Sequence, residues 1–207
     1  MAIVTISRQY GSGGSEVAER VARALGWQLY DNAVVDSVAA RLGMTPAEVS
    51  AREERVPTLG ERFASAMSLA APETLITGEY MAIPPSEERI VEVTQRVMED
   101  AVQAGPAVIV GRGAQCLLAT RSDALHVFCY APLESLTEYA MKTFGLKPDE
   151  ARKNVIEMNA RREEYVRRHW KRDWRDLANY HLCVNTAWLG FDGAANLVTE
   201  VAQKRFT

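Results

Sequence analysis

The chain has 207 residues and a hydrophobic share of 47%, which suits one domain with a proper core, or one domain carrying an insertion. Its net charge of −3 argues against a nucleic-acid-binding surface, and no apolar run reaches the roughly 18 residues of a membrane span. Cys116, Cys129 and Cys183 form no C-x-x-C pair, and a strand already occupies the place of a signal peptide, so a reducing cytoplasm is expected.

The first element is a short apolar strand, Ile3 to Ser7, that breaks into the glycine turn Gly11-Ser12-Gly13-Gly14. Val17, Ala18, Val21, Ala22 and Leu25 then follow at helical spacing, and Gly26 closes that helix. A short strand, Trp27 to Tyr30, precedes a helix from about Ala33 to Leu42 capped by Asp31 or Asn32. Thr45-Pro46-Ala47-Glu48 starts a further helix that runs to about Arg55. Residues 45 to 85 read as an insertion, with a short helix over Leu59 to Leu69. Ser86 caps a long amphipathic helix that ends at Gly105-Pro106. Ala107 to Val110 is a fully apolar strand, as buried parallel strands are, and stops at Gly111-Arg112-Gly113. A helical turn over 114 to 119, a strand over 125 to 131 and a helix from Leu133 to Phe144 come next. Pro148 opens a long helix to about Trp170; Tyr180 to Asn185 is the last strand and Ala194 to Lys204 the last helix.

Strands alternating with helices imply a five-stranded parallel sheet with helices on both faces and residues 3 to 7 in a central strand. Ligands on such sheets sit beyond the strand C-termini. Residues 7 to 15, Asp31, Arg112 and Pro132 all fall there.

The chemistry-bearing residues cluster at those ends. A strand, a glycine turn and a helix N-terminus present backbone N–H groups to a phosphate. Against the phosphate-loop pattern G-x-x-x-x-G-K-[ST], Gly13 and Ser15 fit, while Arg8 stands for the first glycine and Gly14 for the lysine. The dinucleotide pattern G-x-G-x-x-G fits Gly11 and Gly13 but has Glu16 at its last position. Ser12 and Ser15 offer hydroxyls to phosphate, and Ser15 one to a metal ion; alternatively one of them caps the first helix. Arg8 can add positive charge to the same phosphates. Asp31 either orients a bound group or caps the following helix. Arg112 ends a buried strand, where a guanidinium needs an anionic partner. Residues 159 to 172 carry seven Arg, Lys or His side chains among fourteen. Arg161, Arg162, Arg168 and His169 can share a helical face with Tyr165, although Glu163 and Glu164 could equally lace them into a solvated surface. His126 and His181 read as core or edge histidines.

Taken together, Thr5-Ile-Ser-Arg-Gln-Tyr-Gly-Ser-Gly-Gly14, Gly26-Trp-Gln-Leu-Tyr-Asp31, Val108-Ile-Val-Gly-Arg-Gly-Ala114, Ala131-Pro-Leu133, Arg162-Glu-Glu-Tyr165 and Tyr180-His-Leu-Cys-Val-Asn-Thr186 resemble the bacterial cytidylate kinase-like family. The resemblance spans nearly the whole chain. It implies a P-loop, three-layer α/β/α core of one domain over residues 1–207, with an acceptor-binding insertion at about 45–85 and an arginine-bearing lid at about 145–175. It also implies ATP and a nucleoside monophosphate, CMP or dCMP first, as partners, and Mg²⁺ as cofactor. On that pattern Gly11, Ser12, Gly13, Gly14 and Ser15 cradle ATP phosphates and Ser15 meets the metal. Asp31, Arg112 and Arg161 serve the acceptor, and Arg8, Arg112 and Arg162 act in catalysis. A homodimer is compatible with the sequence.

The chain departs from true cytidylate kinases at Gly14, where they carry lysine, at Gly113, where they carry aspartate, and at Asn159, where they carry a carboxylate. Those departures leave a non-catalytic nucleotide-binding module as the second reading. A Rossmann-type dinucleotide enzyme, with Asp31 as its ribose-binding acid, is the third.

Overall fold

The computed structural model describes residues 1–53 and 86–206. Within them lie five strands: β1 (Ile3–Arg8), β2 (Gln28–Tyr30), β3 (Ala107–Val110), β4 (Ala124–Tyr130) and β5 (Leu182–Asn185). Eight helices connect them: α1 (Gly14–Leu25), α2 (Asn32–Leu42), α3 (Pro46–Glu53), α4 (Glu87–Ala104), α5 (Ala114–Leu117), α6 (Leu133–Phe144), α7 (Pro148–Trp170) and α8 (Thr186–Phe206). The expected helix over Leu59 to Leu69, and most of the expected insertion, lie outside the described residues.

The strands pair in parallel in the order β2-β3-β1-β4-β5, so β1 is central as expected. The pleat explains why β1 and β3 are apolar on both faces. Ile3, Ala107 and Ile109 pack with α2, α3 and α4 on one side. Val4, Ile6, Val108 and Val110 pack with α1 and α8 on the other. Serine capping of α4 also holds: the Ser86 hydroxyl accepts from the Arg89 N–H. Helices α6 and α7 pack on each other through Leu136, Ala140, Ala151 and Val155. This hairpin carries α7 across the C-terminal ends of the strands.

Two expectations shift. The last strand begins at Leu182, because Leu177–Asn179 form a 3-10 turn capped by Asp176. The last helix begins eight residues early, at Thr186, where the Asn185 side chain accepts from the N–H groups of Ala187 and Trp188. It breaks at Gly190 (φ 67°, ψ 170°), and the leg beyond the break contains the span the periodicity shows.

His126 is 3% exposed, shares a 2.7 Å hydrogen bond with Thr5 Oγ1 and stacks on His181, as a core histidine should. Burial, and secondarily the neighbouring His181, push its pKa down to about 4 from 6.5. The folded state therefore favours the neutral ring, and stability is lost as the pH falls from about 6.5 towards about 4. By roughly pH 5 this one group should cost about 2 kcal/mol, visible as a drop in urea midpoint that His126→Gln lessens.

Candidate functional site

The turn after β1 leads into α1 through Gly13, whose left-handed backbone starts the helix, and no side chain caps the first turn. Its N–H groups are thus available to an anion. The two serines have other work. Ser12 Oγ donates to the Gln9 carbonyl at 2.8 Å, which closes the turn on itself. Ser15 Oγ donates to Asp31 Oδ2 at 2.8 Å. Neither serine caps α1, and Asp31 makes no side-chain cap on α2. The Asp31 carboxylate faces the turn because Ser15 and Arg8, the latter 3.6 Å away, hold it there. The turn is anchored further by Gln9 Oε1, which accepts from Ala131 N, and by buried Asn159, whose Oδ1 accepts from Tyr10 N at 2.7 Å. Asn159 thus ties α7 to the turn. An amide oxygen serves for that bond as a carboxylate oxygen would.

The missing lysine has a local cause. A Cβ on Gly14 would lie 2.4 Å from Arg8 Cβ, because the stem of Arg8 crosses the start of α1. Further out, Arg8 Nη1 passes so close to Gly111 that a Cβ there would sit 1.9 Å away. Arg8 therefore takes the room that side chains at 14 and 111 would need. Gly14→Ala should force this stem aside and cost about 1–3 kcal/mol, read as a lower thermal midpoint. A Gly14→Ala protein as stable as the wild type would place the Arg8 stem elsewhere.

Gly111, Arg112 and Gly113 are three consecutive left-handed residues, with φ of 74°, 50° and 70°. The arginine is strained there, as residues held at ligand sites often are. Its Nη1 donates to the Asp31 carbonyl at 3.3 Å. Position 113 is glycine for lack of space: the Trp170 ring lies 2.4 Å from where a Cβ would be.

Of the basic cluster on α7, the structure brings part to the site. Arg162 donates to the Arg8 carbonyl at 2.7 Å and lies over the Tyr10 ring, and Arg161 is exposed beside it. Arg168 and His169 turn away and pair with Glu87 at the start of α4. Glu164 pairs with Arg167 and Glu163 with Arg175, so that flank is the solvated, laced surface. His169 keeps the expected face, its ring 4.8 Å from that of Tyr165, but neither it nor Arg168 lines the cavity.

Arg8, Arg112, Arg161 and Arg162, with Ser7, line one cavity of about 90 Å³ at the ends of β1 and β3. Four guanidiniums and the Asp31 carboxylate leave it strongly positive within an acidic chain, a setting that suits bidentate binding of phosphate oxygens. Gln115 lines it too, a residue that neither periodicity nor motif singled out. A second cavity of about 240 Å³ opens on the far side of the turn, between Gly11, Tyr139 and Phe191. Tyr139 also donates to Glu16, which occupies the carboxylate that disagreed with a dinucleotide pattern. Among the described residues no group of three His, Cys, Asp or Glu side chains could hold a metal ion; the Ser15–Asp31 oxygen pair is the nearest donor set to the turn.

This strand order, with a glycine turn leading from the central strand into a helix, is the architecture of the P-loop kinases. It differs from the 3-2-1-4-5-6 order of a Rossmann sheet, which removes the structural basis of the dinucleotide reading. The chain belongs to the cytidylate kinase-like family, whose model matches residues 3–187. No curated protein sequence matches it. Among solved structures it resembles an uncharacterized protein from Eubacterium ventriosum (18% identity, TM-score 0.71, covering 98% of this chain and 99% of that one). It also resembles shikimate kinase from Bacteroides thetaiotaomicron (14%, TM-score 0.55, 98% of each) and TT1252 from Thermus thermophilus (20%, TM-score 0.54, 100% and 98%). Among the described residues no helix is long and apolar enough to cross a membrane.

Proposed function

We propose that this chain transfers the γ-phosphoryl group of ATP to a nucleoside monophosphate, CMP or dCMP first, in the cytoplasm. The observation that carries the reading is the set of four arginines around one cavity beside an uncapped helix N-terminus. In this reading the backbone of Gly11 to Ser15 takes the donor phosphates, and Arg112 with Arg161 takes the acceptor phosphate. An acceptor phosphate oxygen attacks the γ-phosphorus in line. The bond to the β-phosphate oxygen breaks and ADP leaves. Little covalent work falls to the protein; its part is positioning and charge. Arg8 lies between the turn and Arg112, where it can follow charge from one phosphate to the next. Arg162, already bonded to the Arg8 carbonyl, closes the site from α7. The Ser15 hydroxyl and Asp31 carboxylate fit the hard-oxygen preference of Mg²⁺ and would hold it, supplying further neutralisation of phosphate charge.

Calorimetric titration with ATP–Mg²⁺ and a panel of monophosphates tests the reading. CMP and dCMP should bind most tightly, and binding of no nucleotide would remove it. The glycine at position 14 favours one rival, a module that binds nucleotides without transferring phosphate. Tight binding of both substrates with no ADP released would select that rival.

A further inference from the structure

Gln115 sits on α5, three residues after Arg112, and is 1% exposed. Neither its Oε1 nor its Nε2 has a hydrogen-bond partner. Buried amides are satisfied as a rule, and two orphaned atoms on one side chain call for an explanation. Gln115 lines the same cavity as the arginines, and so do Met158, Tyr165, Val166 and Trp174. Guanidiniums account for a phosphate. They do not account for a neutral donor and acceptor side by side among aromatic and apolar walls.

Resting on the kinase reading above, we infer that Gln115 binds the pyrimidine ring of the acceptor nucleotide through its edge. The carboxamide offers one donor and one acceptor about as far apart as the ring nitrogen and exocyclic amine of cytosine. Nε2 donates to the ring nitrogen and Oε1 accepts from the amine. Turned over, the same carboxamide matches the N–H and carbonyl of uracil. Gln115 therefore holds a pyrimidine edge as such; choice between amino and keto pyrimidines lies with other groups. The apolar walls hold the ring's faces, and Arg112, on the same turn, holds the phosphate. A site built on a buried hydrogen-bonding pair strongly rejects ligands that leave the pair unmade.

The test compares wild type with Gln115→Met, which keeps the length and removes the amide. Each is titrated with CMP, with its analogue lacking the exocyclic amine, and with ribose 5-phosphate. In the wild type CMP should bind at least about tenfold more tightly than either of the others. In Gln115→Met the CMP affinity should fall about tenfold or more, ribose 5-phosphate should be unchanged, and the gap between CMP and the analogue should close. Thermal unfolding of the free protein should not be lowered, since no internal bond is lost. An unchanged CMP affinity would overturn the inference while leaving the kinase reading intact. So would an equal loss for ribose 5-phosphate, which would put the amide on the sugar or phosphate. If Gln115→Met unfolds early, the wild-type comparison of CMP with its analogue carrying hydrogen in place of the exocyclic amine still decides: equal affinities contradict a ring contact. Failure of the wild type to bind CMP at all would remove the kinase reading and this inference together.

Discussion

Arg8→Ala should slow ADP formation with CMP by roughly a thousandfold. Two unit charges about 4 Å apart at an effective dielectric near 20 interact by about 4 kcal/mol, and each 1.4 kcal/mol is a factor of ten. Arg8 is the cation whose stem replaces a side chain at position 14 and whose guanidinium reaches Gly111 and Asp31. If it stands in for the lysine, its loss should fall on kcat more than on KM, because the charge matters most as the phosphoryl group moves. Arg8→Lys should recover part of the rate, since it keeps the charge and loses the fork. A wild-type rate in Arg8→Ala would assign the compensating charge to another residue.

Arg112→Ala should weaken CMP binding by about 1.5–3 kcal/mol, the value of a charge-assisted hydrogen bond, or roughly ten- to more than a hundredfold in Kd. The backbone at 112 supplies a control. Its φ of 50° is strained for any side chain and comfortable for glycine. Arg112→Gly should therefore bind CMP as weakly as Arg112→Ala while unfolding at a higher temperature. Equal CMP affinity in wild type and both variants would make Arg112 a structural residue, one that donates to the Asp31 carbonyl.

Much of this architecture was legible in the sequence because local physics decides it. The apolar runs at 3 to 7 and 107 to 110 can only be strands buried on both faces, and Ser86, Gly26 and Gly145 mark helix ends through caps and left-handed backbone. The glycine turn and Arg112 were legible for the same reason. What escaped depends on contacts between distant residues. Gly14 reads alone as a lost lysine, and only the crossing stem of Arg8 shows why a side chain is excluded. Gly113 reads as a lost aspartate until Trp170, from the end of α7, is found against it. Arg168 and His169 share helical spacing with Arg161 and Arg162, yet they pair with Glu87 outside the cavity. Ser15 and Asp31 each read as a candidate cap, and the fold joins them to each other. Gln115 carries no motif; its two unpartnered atoms become visible only once it is buried. Two of the three departures, Gly14 and Gly113, are thus paired with bulky side chains elsewhere in the chain.

The most direct test of a rearranged, working site is ADP release from ATP–Mg²⁺ with CMP as acceptor, measured side by side for the wild type and Arg8→Ala. The account predicts slow, saturable release by the wild type that exceeds release with purine monophosphates and drops by about a thousandfold in Arg8→Ala. Nucleotide binding with no ADP released for any acceptor would contradict it.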